Sequence, residues 1–190
     1  MIEVTISALK ALKTAVQDLS GQQLGSQFAL DVETTGLDDH DRIFGLIIYS
    51  PLRSYYFNFN SEEEEHLPQE FFKLFKPLFE DKSKSWFIHN AIFDLAMLAK
   101  EDLYLKGKVY CTMTLERVLQ NNRMQYSLDV LAKEYEKVIP NMALKLGDEV
   151  KDYINKHKCF TKWKINGKDT AVKKMHYDFV PLELMARYGH

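Results

Sequence analysis

Asp31 and Glu33 stand two apart at the end of Gln27-Phe28-Ala29-Leu30-Asp31-Val32-Glu33, a run that alternates apolar and other residues with the period of a β-strand. On a strand, residues i and i+2 share a side, so the two carboxylates lie on one face while Phe28, Leu30 and Val32 take the core face. At a separation of about 4 Å, two such charges repel by about 4 kcal/mol at an effective dielectric of about 20, so a fold that keeps them together usually supplies a cation. Hard oxygen donors select magnesium or manganese. An amphipathic edge strand carrying two solvated acids accounts for the same segment.

A third carboxylate comes from His89-Asn90-Ala91-Ile92-Phe93-Asp94-Leu95, which follows the short apolar strand Trp86-Phe87-Ile88. With a helix starting there, Asn90 and Asp94 fall four apart on one face, directed back over the sheet end that carries Asp31. Asn90 is also a natural N-cap, and Asp94 in the first turn suits the helix dipole. That second account covers Asn90 but leaves an acid in an otherwise apolar helix. Tyr188, with Leu184 four residues before it on a final helix, is the remaining candidate, either for chemistry or as a packing aromatic. The six histidines form no HExxH, and His157 with Cys159 offers only two metal ligands, so zinc catalysis is disfavoured. No Walker A loop or GxGxxG is present, which argues against nucleotide hydrolysis and dinucleotide binding.

These residues need a scaffold. At 190 residues, 46% hydrophobic and 27% charged, the chain has the composition of an ordinary globular protein, with length for one domain over 1–190. The order of elements is a short helix near Leu9–Leu19, strands at Gln27–Glu33, Arg42–Ser50 and Arg53–Phe59, a helical stripe over Pro68–Asp81, a strand at Trp86–Ile88, a helix at Ala91–Glu101, a strand at Lys108–Cys111 and then helices. This order predicts an α/β architecture, with a mixed five-stranded sheet flanked by helices. Asn166-Gly167 between two β-rich runs predicts a hairpin projecting from the body, a basic insertion over about 158–180, and Pro181 suits the first turn of a last helix.

Net charge is −2, so nucleic-acid binding requires a local basic patch or bound cations. The patch is local: Lys151 to His190 holds nine Lys/Arg against four Asp/Glu. Lys156, Lys158, Lys162, Lys164 and Lys168 there accompany Phe160 and Trp163, a mixture of phosphate-seeking charge and stacking surface. The acidic run Glu62–Glu65 reads as solvated surface. Two distant cysteines fit a reducing cytoplasm, and nothing reads as a leader or a membrane span.

Taken in order, Asp31-Val32-Glu33-Thr34-Thr35-Gly36-Leu37, His89-Asn90-Ala91-Ile92-Phe93-Asp94, Ser127-Leu128-Asp129-Val130-Leu131-Ala132 and Tyr188 resemble the motifs of the DEDD superfamily of 3′–5′ exonucleases, Tyr type. The chain looks most like the proofreading domains of bacterial and phage family A DNA polymerases. The resemblance runs from about Gln27 to Tyr188 and implies a ribonuclease H-like fold, two divalent cations (Mg2+ or Mn2+), and phosphodiester hydrolysis at a single-stranded DNA 3′ end. It implies that Asp31 bridges both metals, Glu33 binds the first, Asp94 holds the second largely through water, and Tyr188 orients the attacking water. Thr34, Leu37, Asn90 and Phe93 match substrate-side positions, with Leu37 as the wedge between terminal bases and Phe93 beside the 3′ end. Core packing is an equal account of Phe93.

The pattern is departed from twice. Cys111 stands where many relatives have Asp, and the last motif, Tyr-x-x-x-Asp, would place its acid two positions beyond His190. The expectation is a domain cut at its final helix, with a polymerase domain downstream. The competing readings are an RNA-trimming relative of ribonuclease D, using the same site, and a nucleic-acid-binding module without turnover.

Overall fold

The computed structural model describes residues 2–21, 23–36, 38, 40–135, 146–165 and 168–189. Leu37, the wedge position, and the Asn166-Gly167 turn lie outside the described residues. Six strands form the main sheet: β1 (Ile2–Ile6), β2 (Gln27–Thr34), β3 (Ile43–Tyr49), β4 (Arg53–Asn58), β5 (Ser85–Ile88) and β6 (Lys108–Cys111). Their spatial order is β1-β4-β3-β2-β5-β6. β2 lies inside the sheet, antiparallel to β3 on one side and parallel to β5 on the other. The tight turn at Pro51 makes β3 and β4 an antiparallel pair, closed by the Ser50 N–H donating to the Arg53 carbonyl at 2.7 Å. β5 and β6 join in parallel because helices carry the chain back between them.

The sheet thus has six strands rather than the expected five. Ile2-Glu3-Val4-Thr5-Ile6 adds an edge strand parallel to β4, from Ile2 opposite Arg53 to Ile6 opposite Phe57. Only Ile6 of this strand is buried, so its alternation marks no core face, and its place depends on a partner some fifty residues away. The stripe over Pro68–Asp81 also differs from a continuous helix. It is a 3-10 segment, Gln69–Phe75, followed by the single turn α2 (Lys76–Phe79), because Pro77 lacks the N–H that would bond back to Lys73.

One face of the sheet is covered by α1 (Leu9–Ser20), the 3-10 segment, α2 and α3 (Ala91–Lys100). Leu12, Leu19, Phe72, Phe75, Phe79 and Met97 pack there on Phe28, Leu30, Val32 and Trp86. The chain continues through α4 (Thr112–Leu119), α5 (Leu128–Tyr135) and α6 (Leu146–His157) to a separate two-stranded hairpin, β7 (Phe160–Ile165) and β8 (Lys168–Met175). A short 3-10 turn, Tyr177–Phe179, leads into α7 (Leu182–Gly189). On the second face, α6 and α7 set Val150, Ile154, Met185 and Ala186 on Phe44, Ile47 and Tyr56 of β3 and β4. The odd-numbered side chains of β2 point to that face. Among the described residues, no helix is long and apolar enough to cross a membrane.

Candidate active site

β2 places the first two acids. Phe28, Leu30 and Val32 are buried, while Asp31 and Glu33 share the opposite face. Immediately beyond, the β2–β3 register slips between Glu33 and Thr34, so the chain turns out of the sheet directly after the acid pair. Gly45 lies opposite Glu33; a side chain there would strike the Tyr56 hydroxyl and crowd Glu33.

α3 brings the third. Asp94 is 2% exposed and accepts a hydrogen bond from the Val32 N–H at 3.1 Å, which pins the first turn of α3 to the middle of β2. Asp94 also hydrogen-bonds to Asp31, a contact that lowers Asp31 and raises Asp94. Burial pushes Asp31 up to about 6, although the residue keeps contact with solvent along the cleft floor. Burial and then repulsion from Asp31 and Asp94 push Glu33 up to about 8; burial and repulsion from Asp31 do the same for Asp94. Asn90 makes no capping hydrogen bond: it sits before α3 in the left-handed region (φ 60°) and its side chain is exposed. The N-cap account of that residue therefore fails.

α7 supplies Tyr188. Burial, followed by the charges of Glu33 and Asp31, drives its phenol far above the ordinary value, so it is a neutral hydroxyl at physiological pH. Its reach depends on Gly189, where a Cβ would meet Ile47 and Tyr56 at 2.8 and 3.0 Å. Tyr188 and Asp31 stand between two clefts. One, of about 760 Å³, is lined by Glu33, Thr34, Phe93 and Tyr177 on its sheet side and by Lys173 and Lys174 of the hairpin. The other, of about 370 Å³, is lined by Phe87, His89, Leu128 and Asp129. Asn90 faces a third groove, next to His89 and Leu128, rather than the carboxylates.

Three further residues of the motifs and of the element beside them received no role from the sequence. Asp129, inside the Ser127–Ala132 motif, lines the smaller cleft with Asp31 and adds its charge to Tyr188. The Nε2 of His89 donates to the Tyr126 carbonyl (2.9 Å), leaving Nδ1 to accept from the Thr112 hydroxyl (3.0 Å), so the ring braces β5 against α4 and the loop before α5. Cys111 stands before α4. Burial alone would raise its thiol, but the Thr114 hydroxyl and the N–H groups of Thr114, Ala91 and Asn90 outweigh that and hold it below the ordinary value. The spacing of Asp129 and His89 within their motifs was legible; their convergence on Asp31 was not.

As they stand, no three acidic, His or Cys side chains among the described residues are gathered closely enough to hold an ion. The donor set nevertheless suits one. Three carboxylates, all held above their ordinary values, with Asp31 repelling both Glu33 and Asp94, are a site whose charge a divalent cation would neutralise.

The sequence from residue 4 to 176 matches the model of the 3′–5′ exonuclease family. A DNA polymerase of Salmonella phage PMBT28 is 32% identical over 117 residues, which is 59% of this chain and 17% of that protein. The matched part is therefore less than a fifth of the phage polymerase's length. In fold, the chain resembles RNase D of Trypanosoma brucei, with a TM-score of 0.68 at 16% identity over 97% of this chain and 58% of that one. RNase D of Escherichia coli gives 0.56 at 16% identity over 72% and 34% of the two chains. Brucella melitensis NrnC, solved with bound Mg2+, gives 0.51 at 18% identity over 86% and 64%. With the acid pair on an inner strand, the third acid on the helix that follows and a family match over most of its length, the chain belongs to the 3′–5′ exonuclease family of phosphodiester hydrolases.

Proposed function

We propose that this chain removes nucleotides from the 3′ end of a single-stranded DNA, as a proofreading domain beside a polymerase, with Asp31, Glu33 and Asp94 holding two divalent cations, Mg2+ or Mn2+. The observation that carries it is the placement of Asp31 and Glu33 on one face of β2, lining a cleft with Tyr188, with Asp94 of α3 hydrogen-bonded to the Val32 N–H between them in sequence. Bound there, a cation pair would supply activation of water and stabilisation of the leaving oxygen. The chain's own groups do the rest. Asp31 acts on both of the other acids, on Glu33 by charge and on Asp94 by charge and hydrogen bond. The protonated Tyr188 hydroxyl orients a water at the carboxylate edge. Phe93 and Thr34, on the wall of the same cleft, pack against the terminal nucleotide. The local likeness to a phage DNA polymerase favours DNA over RNA as substrate.

The test is digestion of 3′-labelled DNA and RNA single strands of one sequence, in Mg2+ and in Mn2+. It is run on the 190-residue chain and on a chain carried to position 192 with Asp there, which completes Tyr-x-x-x-Asp after Tyr188. DNA degraded from the 3′ end, with Asp31→Ala inactive, is the expected result. Preference for RNA would support the ribonuclease D-like reading; binding without cleavage by either chain would leave a binding module.

A further inference from the structure

The main cleft has a second wall that the acids do not explain. Opposite Asp31, Glu33 and Phe93 it is formed by the β7–β8 hairpin, through Lys173, Lys174 and Met175. The hairpin is a two-stranded sheet of its own, whose Phe160 and Met175 rest on the apolar cluster of the second face. Beyond that apolar contact, Lys174 ties it to the loop that follows β2. Its Nζ lies 3.2 and 3.3 Å from the two carboxylate oxygens of Asp41 and 3.6 Å from Asp38. Asp41, 9% exposed, is itself fixed, accepting the Thr35 hydroxyl at 2.9 Å and the Asp38 N–H at 2.7 Å. Lys100 of α3 holds the same loop from the other side, donating to the carbonyls of Asp38 and Asp41. Gly36 is required by this knot, because a side chain at that position would run into the Asp41 carboxylate and the Lys174 stem. The loop that leaves the acid pair and the hairpin are thus one clamped unit.

Lys173, the neighbour of Lys174, is differently placed. It is exposed, sits with its ammonium 4.0 Å over the Phe160 ring, and has a long hydrogen bond to Asn155 at 3.4 Å. Among the described residues no carboxylate contact is shown for it, and it lines the cleft that Asp31 and Glu33 also line. A phosphate chain entering between the walls is repelled by those acids and needs a cation on the other side.

We propose that the hairpin is a docked clamp for the incoming strand: Lys174 is a positioning residue that fastens it to the Thr35–Arg42 loop through Asp41, and Lys173, steadied on Phe160, contacts a strand phosphate. This rests on the reading of the cleft as a site for a 3′ strand. It refines the sequence expectation of a diffusely basic hairpin by assigning separate roles to two lysines on β8.

The experiment measures both binding and turnover. Binding of a 3′-labelled single-stranded DNA is followed by fluorescence anisotropy in Ca2+ over a range of salt, and cleavage by kcat and KM in Mg2+ or Mn2+, with Lys13→Gln on exposed α1 as control. Lys173→Gln should raise Kd and KM about 3- to 10-fold, leave kcat within about 2-fold, and reduce the salt slope by about 0.7, the value of one phosphate contact on a single strand. Lys174→Met and Asp41→Asn should each raise KM, and the double variant should be no worse than either single one. An unchanged Kd and salt slope in Lys173→Gln, or additive effects of the Lys174 and Asp41 changes, overturns the clamp. If the wild-type chain binds but does not cleave while Lys173→Gln binds more weakly, the clamp stands and the hydrolytic reading falls. If it cleaves and Lys173→Gln matches it, the clamp falls and the hydrolytic reading stands. Absence of both binding and cleavage overturns both.

Discussion

Replacing Asp94 by Asn should make the metal-free protein more stable, and by more at pH 8 than at pH 5. In the fold, the Asp94 carboxyl is held up to about 8, against an ordinary value of 3.8, by burial and by repulsion from Asp31. Between those two values the native protein binds more protons than the unfolded chain, so stability falls as pH rises through the window. Each pH unit in which one proton is retained only by the fold is worth about 1.4 kcal/mol. The stretch from pH 5 to pH 8 therefore gives an upper figure of roughly 3 to 4 kcal/mol for Asp94 alone. The hydrogen bond to Asp31 and water in the cleft reduce it to about 2 kcal/mol. For a chain of this length that is an extra rise in Tm of roughly 4 to 8 °C in the variant at pH 8 over its gain at pH 5. Asn retains an oxygen for the Val32 N–H and resembles the protonated acid, so no cavity or lost contact offsets the gain. The assay is urea and thermal unfolding of both proteins at the two pH values, without metal and with Mn2+. Wild type should be stabilised by Mn2+ and the variant much less, since the ion acts through binding to the native state. A variant no more stable than wild type at pH 8, or one with the same pH slope, would refute the assignment of the repulsion to Asp94.

Tyr188→Phe removes only the hydroxyl at the edge of the acid cluster; kcat should fall about 10- to 100-fold with KM little changed, on the order of general acid–base and positioning effects, in steady-state assays of 3′-end cleavage. Gly189→Ala drives a methyl into Ile47 and Tyr56, so α7 must move outward; a Tm loss equivalent to about 1–3 kcal/mol and a fall in kcat should appear together. Cys111→Asp puts a full charge where N–H groups already favour a thiolate and caps α4; unfolding at pH 7 should show a gain of about 0.5–1 kcal/mol.

What the sequence determined by itself was the local geometry. The period of two over Gln27–Glu33 assigns Asp31 and Glu33 to one face and Phe28, Leu30 and Val32 to the other, and the pleat of a strand leaves no alternative. The apolar run ending at Ile88 and the helix from Ala91 likewise place Asp94 one turn into its helix, whatever surrounds it. The edge strand Ile2–Ile6 and the 3-10 course of Gln69–Phe75 were beyond that reach, one because its partner is distant in sequence and the other because Pro77 removes one bond from an otherwise helical pattern. Tertiary structure alone decided what meets the acids. Asp94 touches Val32 across 62 residues, and Lys174 meets Asp41 across 133. Tyr188 arrives because α7 packs on β3 and β4 closely enough to require Gly189. Periodicity specifies the direction of a side chain relative to its own element; which element faces it depends on how apolar faces are buried against one another, and that is a property of the whole fold.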